Sequence, residues 1–142
     1  MNDLDLLLLY EDELFFIHLH KELALLQLTF RTQPEPERFR NAYRLAIDAA
    51  LNKEVHYWLT DARQIKVMLS ENQTWLKVNM QPVLQPAKIR KFAIVMSPEC
   101  FVMTNPNQVY NQPEPGLVAP PAGVIKVTFD REAAWHWLFN AE

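Results

Sequence analysis

Glycine is nearly missing from this chain: two occur in 142 residues, Gly116 and Gly123. Neither opens a loop whose successive backbone amides could cradle a phosphate, so nucleotide motifs of the glycine-rich kind are excluded. Cysteine occurs once, at Cys100, which rules out an intrachain disulfide and a cysteine-built zinc site within one chain. The longest apolar runs, Leu6 to Tyr10 and Phe92 to Met96, are far too short to cross a bilayer, and no membrane partner is expected. Positive charge is not in excess either. Fourteen basic against 17 acidic residues leave a net charge of -3, which argues against nucleic acid as a partner. The residues after Met1 include Asn2, Asp3 and Asp5, not the basic n-region and small-residue cleavage site of a secretory signal, so a cytoplasmic location is the expectation. No residue pattern asks for a metal or cofactor.

What is present is a chain of single-domain length, 1–142, able to bury roughly two thirds of its unfolded surface. Leu4 to Tyr10, Leu14 to His20 and Leu23 to Phe30 are apolar stretches of strand length separated by short charged links, and they predict an antiparallel meander. In the second, Phe16, His18 and His20 alternate with Phe15, Ile17 and Leu19, so one face is the more polar and lies nearer solvent. Phe39, Tyr43, Ala46, Ile47 and Ala50 recur at helical spacing after two prolines, predicting a helix over Glu37 to Asn52. Val55 to Thr60 is a strand. Ser70 and Gln73 form a capping box, in which each side chain would satisfy the other's backbone amide, opening a second helix that Pro82 kinks or ends.

Phe92 to Met96 is apolar without alternation, as in a strand covered on both faces. Ser97-Pro98-Glu99 predicts a brief helix, and Asn105 to Gly123, with five of the ten prolines, a long loop. A last strand over Ile125 to Phe129 precedes a helix capped by Asp130. The fold class is therefore α/β (mixed α+β), in the order βββαβαβ(α)βα: a mixed sheet, parallel at its centre, with helices packed on it.

Val55 to Arg63, Gln73-Thr74-Trp75-Leu76, Pro82, the Ile89 to Val95 strand and Phe129 to Leu138 together resemble the STAS-like domains related to anti-sigma-factor antagonists, the stage II sporulation AA-like proteins. The resemblance spans about Leu23 to Leu138. It implies a small cytoplasmic α/β sandwich used for regulation, protein interaction or the holding of a small or lipidic ligand. Phosphoswitch members carry a serine in an Asp-Ser-(Ser/Gly)-Gly run after this strand. Here Asp61-Ala62-Arg63-Gln64 stands in its place.

In open α/β sheets, ligands favour the crevice beyond the carboxyl ends of strands. Two such ends are expected, and they make Asp61, Arg63, Ser70, Trp75, Ser97 and Cys100 the candidate binding residues. Asp61 and Arg63 either present a carboxylate and a guanidinium to a ligand or pair with each other. Cys100 in the first turn of a helix is either a nucleophile or a buried small hydrophobe. His18 and His20 share a strand face without a third metal ligand at a recognisable spacing, and His56 and His136 stand alone. Trp135 and Trp137 lie about 200° apart around a helix. That helix is covered on both flanks by its own chain or joins a homodimer interface through Trp135 and Phe139. The expected function is a non-enzymatic regulatory or interaction domain with an unknown protein or small-ligand partner. The alternatives are a carrier with Phe16, Phe39, Tyr43, Trp58 and Trp75 around an apolar ligand, and a small enzyme using Cys100 or the His18 and His20 pair.

Overall fold

In the computed structural model, residues 6–84, 88–104 and 124–140 are described, the side chains of 102–104 excepted. The three apolar stretches form the antiparallel strands β1 (Leu6–Glu11), β2 (Phe15–His20) and β3 (Leu25–Phe30). With glycine absent from both turns, other residues take its place. Asp12 shapes the first by accepting from the Leu14 and Phe15 amides at 2.8 and 3.0 Å, an Asx-type turn. At the second, Ala24 adopts the left-handed backbone, φ 52°, at a cost of roughly 1 kcal/mol for a residue with a Cβ. Its carbonyl accepts from the His56 and Tyr57 amides at 2.9 and 3.1 Å, which ties the turn to the start of the next strand.

The chain continues through α1 (Pro36–Lys53), β4 (Tyr57–Ala62), α2 (Ser70–Asn79), β5 (Lys91–Met96), α3 (Pro98–Thr104), β6 (Ile125–Thr128) and α4 (Arg131–Phe139). The mixed α/β class and its element order agree with expectation, with boundaries displaced by a residue or two. Asp130 caps α4 as expected, its Oδ1 accepting from Ala133 N at 2.8 Å. The capping box at α2 is a correction. Leu69 is the N-cap, Ser70 is already helical, and Gln73 Nε2 donates instead to the Met68 carbonyl at 3.0 Å. The preceding loop is held by Gln33, whose Oε1 accepts from the Lys66 and Val67 amides at 2.7 and 3.2 Å and whose Nε2 donates to Val67 O at 3.0 Å. Pinned there, the chain enters the helix one residue sooner. Met80, Val83 and Leu84 are buried, but in turns beyond the helix. The proline-rich loop, 105–123, lies outside the described residues.

The sheet runs β1-β2-β3-β4-β5-β6, parallel from β3 onward. Because the parallel strands follow one another in sequence order, right-handed crossovers place α1, α2 and α3 on the same side. There Trp58, fully buried, stacks on Tyr43 and Phe92 with centroids 6.1 and 5.4 Å away. Its indole N–H donates to Thr60 Oγ1 at 2.7 Å. Phe30 stacks on Phe39 at 5.7 Å, and Leu76, Met80 and Cys100 close the layer.

Among the described residues, the second face has α4 alone. Ala134 and Leu138 settle on Leu25, Leu59, Ala93 and Val95, the two alanines allowing close approach. Lys91 Nζ donates to the Trp137 carbonyl at 2.7 Å, satisfying an orphan acceptor at the helix end. Six strands spaced ~4.8 Å apart span roughly 24 Å, and a helix with its side chains covers only ~10 Å of that. Since α4 lies over β4, β5 and β6 and reaches β3 only at Leu25, no helix among the described residues lies above the rest of the second face of β1, β2 and β3.

Candidate functional site

That uncovered half-face forms a groove of about 680 Å3 with α4 as its wall. Period-two alternation turns Phe16, His18 and His20 of β2 onto it, beside Leu6 of β1 and Gln27 of β3. Arg131, Glu132, Trp135 and His136 line it from α4. Trp135 meets the His20 ring edge-on at 5.4 Å and Phe139 at 5.0 Å, which joins the wall to the floor.

The floor is polar yet buried. His20 is 5% and Gln27 4% exposed. Gln27 Nε2 donates to Thr29 Oγ1 at 3.4 Å, so its Oε1 is left to accept from His20 Nε2 at 3.2 Å. This fixes which imidazole nitrogen carries the proton, given that amide orientation. His18 is half-buried, its ring edge-on to Phe16 at 4.9 Å. Burial and the Arg131 charge lower its pKa against the opposing pull of Glu11.

One end of the groove adjoins Asp61. Strand β4 directs this carboxylate to the second face, in register with Thr29, and it is 5% exposed. Arg63 grips it from two residues away, Nε to Oδ1 at 3.0 Å and Nη2 to Oδ2 at 2.8 Å. That hydrogen bond raises the guanidinium pKa further. Asp61 and Arg63 therefore pair with each other. Arg131 Nε approaches the same Oδ2 only to 3.9 Å.

The other expected binding residues belong to the opposite side of the sheet. Ser97 Oγ accepts from Cys100 N at 3.2 Å, capping α3. Cys100 is completely buried in the first-face core. Ser70 is exposed at the start of α2, and Trp75 is half-buried with the Arg44 guanidinium 5.4 Å above its ring. Consecutive strand order explains the separation: the parallel run has no reversal, hence no switch point at which loops diverge to opposite faces and open a crevice. The large groove is lined by none of these six residues.

Of the aromatics considered for a carrier pocket, Phe39, Tyr43 and Trp58 fill the core and Phe16 lines the groove. Trp135 and Phe139 both have partners within the chain, Phe139 packing on Tyr57 at 5.1 Å. Trp137 lies on the other flank of α4 under Lys91. Among the described residues, no three His, Cys, Asp or Glu side chains converge to hold a metal ion, and no helix is long and apolar enough to cross a membrane. Sequence reasoning passed over Gln27, Arg131 and Glu132. Gln27 carried a usable signal, a lone amide within the apolar stretch LLQLTF, since a buried polar residue needs a partner. No family model, no curated protein and no solved structure matches this chain.

Proposed function

We propose that this chain is a non-enzymatic cytoplasmic regulatory domain of STAS-like type that works by holding a small ligand in the groove between β1–β3 and α4. The observation that carries the reading is the groove floor: a hydrogen-bonded His20 and Gln27 pair, both more than nine-tenths buried, between the aromatic side chains of Phe16 and Trp135. A largely apolar concavity with a few convergent polar groups is the usual form of a small-molecule site. The STAS-like assignment is supported by the resemblance of Val55 to Arg63 and Phe129 to Leu138, together with the element order. Against an enzyme built on Cys100, the thiol is fully enclosed and cannot meet a substrate while the core is closed. Native mass spectrometry of the purified chain, followed by an amide-resolved NMR titration with any retained molecule, tests the reading. Shifts confined to β1–β3 and α4 are expected. Shifts mapping to α2 and α3 would overturn it.

A second reading is an interaction domain whose partner is another copy of this chain. It is favoured by β1, an edge strand that exposes Leu7 by 40% and Leu8 by 52%. Such edges accept a further strand where neither charge nor a bulge protects them, and in β1 the register shifts between Leu8 and Tyr10, leaving Leu6 to Leu8 as the regular part of the edge. Antiparallel pairing of two β1 strands would give a two-fold dimer. Sedimentation should then show a dimer in the wild type and a monomer in Leu8→Lys. A wild-type monomer at high concentration removes this reading.

A further inference from the structure

Resting on the groove reading above, we propose that the ligand is a planar aromatic monocarboxylate, its carboxylate held by Arg131 and His18 and its ring laid against Phe16 and Trp135. The volume, about 680 Å3, falls within the ~300–1,000 Å3 typical of small-molecule sites. Arg131 is the anion anchor because its guanidinium is largely uncommitted. Among the described residues its one ion-pair partner is Asp61, at 3.9 Å, beyond hydrogen-bond range. Asp61 itself is already engaged by Arg63 at 3.0 and 2.8 Å. The planar fork of an arginine matches a carboxylate in two parallel hydrogen bonds.

The same surroundings limit the ligand to a single negative charge. Glu132 lines the groove, Asp61 stands behind Arg131 and Glu11 acts on His18. Arg63 and Arg31 already balance Asp61 and Glu11, and the single remaining guanidinium beside Glu132 cannot hold a polyphosphate as well. The floor limits the ligand's body. A wholly aliphatic tail laid over half-buried His18 and beside exposed Glu132 and His136 would strip water from polar groups and return no hydrogen bond. A flat ring bearing a hydroxyl or ring nitrogen offers a polar edge to that floor and a π-face to Trp135.

A bound carboxylate would favour the protonated form of His18, so affinity should rise as the pH falls through the His18 titration. Among the described residues, the charged and titratable groups around that imidazole are Glu11 on β1 with its partner Arg31, which lies over the Phe16 ring, His20 on β2, and Arg131, Glu132 and His136 on α4.

The test uses the full chain with hydroxynaphthoate, its uncharged methyl ester and AMP as probes, read by amide-resolved NMR titration. Hydroxynaphthoate should shift β2 and α4 amides and bind at least about 10-fold more tightly than the ester, the difference expected of a charge-assisted pair. Arg131→Met, an exposed position, should erase that difference, and His18→Gln should flatten the pH dependence of binding. An ester bound as tightly as the acid overturns the carboxylate assignment, as does AMP bound more tightly than hydroxynaphthoate. Silence of the groove amides with both acid and ester overturns the inference as well. The groove reading is judged separately, by the retained-molecule experiment.

Discussion

On the side of the sheet covered by α1, α2 and α3, aromatic rings stack from Phe30 through Phe39, Tyr43 and Trp58 to Phe92, and polar atoms there serve one another. On the opposite side the one helix among the described residues seals four small and branched side chains of the sheet, Leu25, Leu59, Ala93 and Val95, and leaves His18, His20 and Gln27 at the floor of a groove. Both are faces of the same six strands, so backbone pairing cannot explain the contrast. The difference is in how much helix lies above each strand. Stability concentrates where cover is complete, and side chains outside that cover are released from the demands of core packing.

If the first face carries most of the stability, Trp58→Ala should do the most damage, costing about 4 kcal/mol in denaturant unfolding through its cavity alone. A loss under about 1 kcal/mol would remove the distinction between the faces. Arg63→Ala probes the strongest ion pair of the second face. It leaves the buried Asp61 carboxylate, among the described residues, with the residue-63 backbone amide at 3.3 Å and Arg131 at 3.9 Å, and about 2 kcal/mol should be lost, below the range for fully buried pairs because Arg63 is partly exposed.

The β1–β2 turn, which supports the groove floor, can be weakened by acid. Burial raises the Asp12 pKa, but hydrogen bonds from the Phe15 and Leu14 amides and Tyr10, with the Arg38 charge, outweigh it and hold the carboxyl below its ordinary value. Its stabilisation is therefore complete above about pH 4 and lost as the pH falls toward the depressed value. Asp12→Asn should cost about 1 kcal/mol near neutrality and make acid unfolding less steep. The smallest stability effect belongs to His20→Phe combined with Gln27→Leu. Replacing both partners of a buried hydrogen bond by apolar groups should change stability by less than about 1 kcal/mol while removing ligand binding at the groove. A large loss of stability would mean that the second face is structural as well.

The strands and α1 were legible because their periods are unmistakable: Phe15, Ile17 and Leu19 against Phe16, His18 and His20, and Phe39 through Ala50 at helical spacing. The pairing of Asp61 with Arg63 was within reach from their separation of two along a strand. The groove was not, because it is defined by where α4 does not lie, and that follows from strand order rather than from any local pattern. Arg131 stood only within the Phe129 to Leu138 run, with no local pattern to mark it as a site residue. Ser70 and Gln73 satisfied the capping pattern, yet the contact that decides the helix start comes from Gln33, 33 and 34 residues away from the amides it holds. Trp135 and Trp137 posed a geometric conflict for a helix with one buried side. Lying flat on a sheet resolves it, since both flanks of α4 meet the chain and Ala134 and Leu138 point straight down.

The one-sided placement of the crossover helices also sets a schedule for biosynthesis. Each of α1, α2 and α3 is made between the strands it bridges, so the first face can close progressively as the nascent chain leaves the ribosome. Among the described residues, the underside of β4 and β5 has no such early cover: Leu59, Ala93 and Val95 wait for Ala134 and Leu138, which are translated after the six described strands. During that interval a greasy strip on a nearly finished sheet is open to chaperones or to neighbouring chains, and any delay in producing α4 lengthens the exposure.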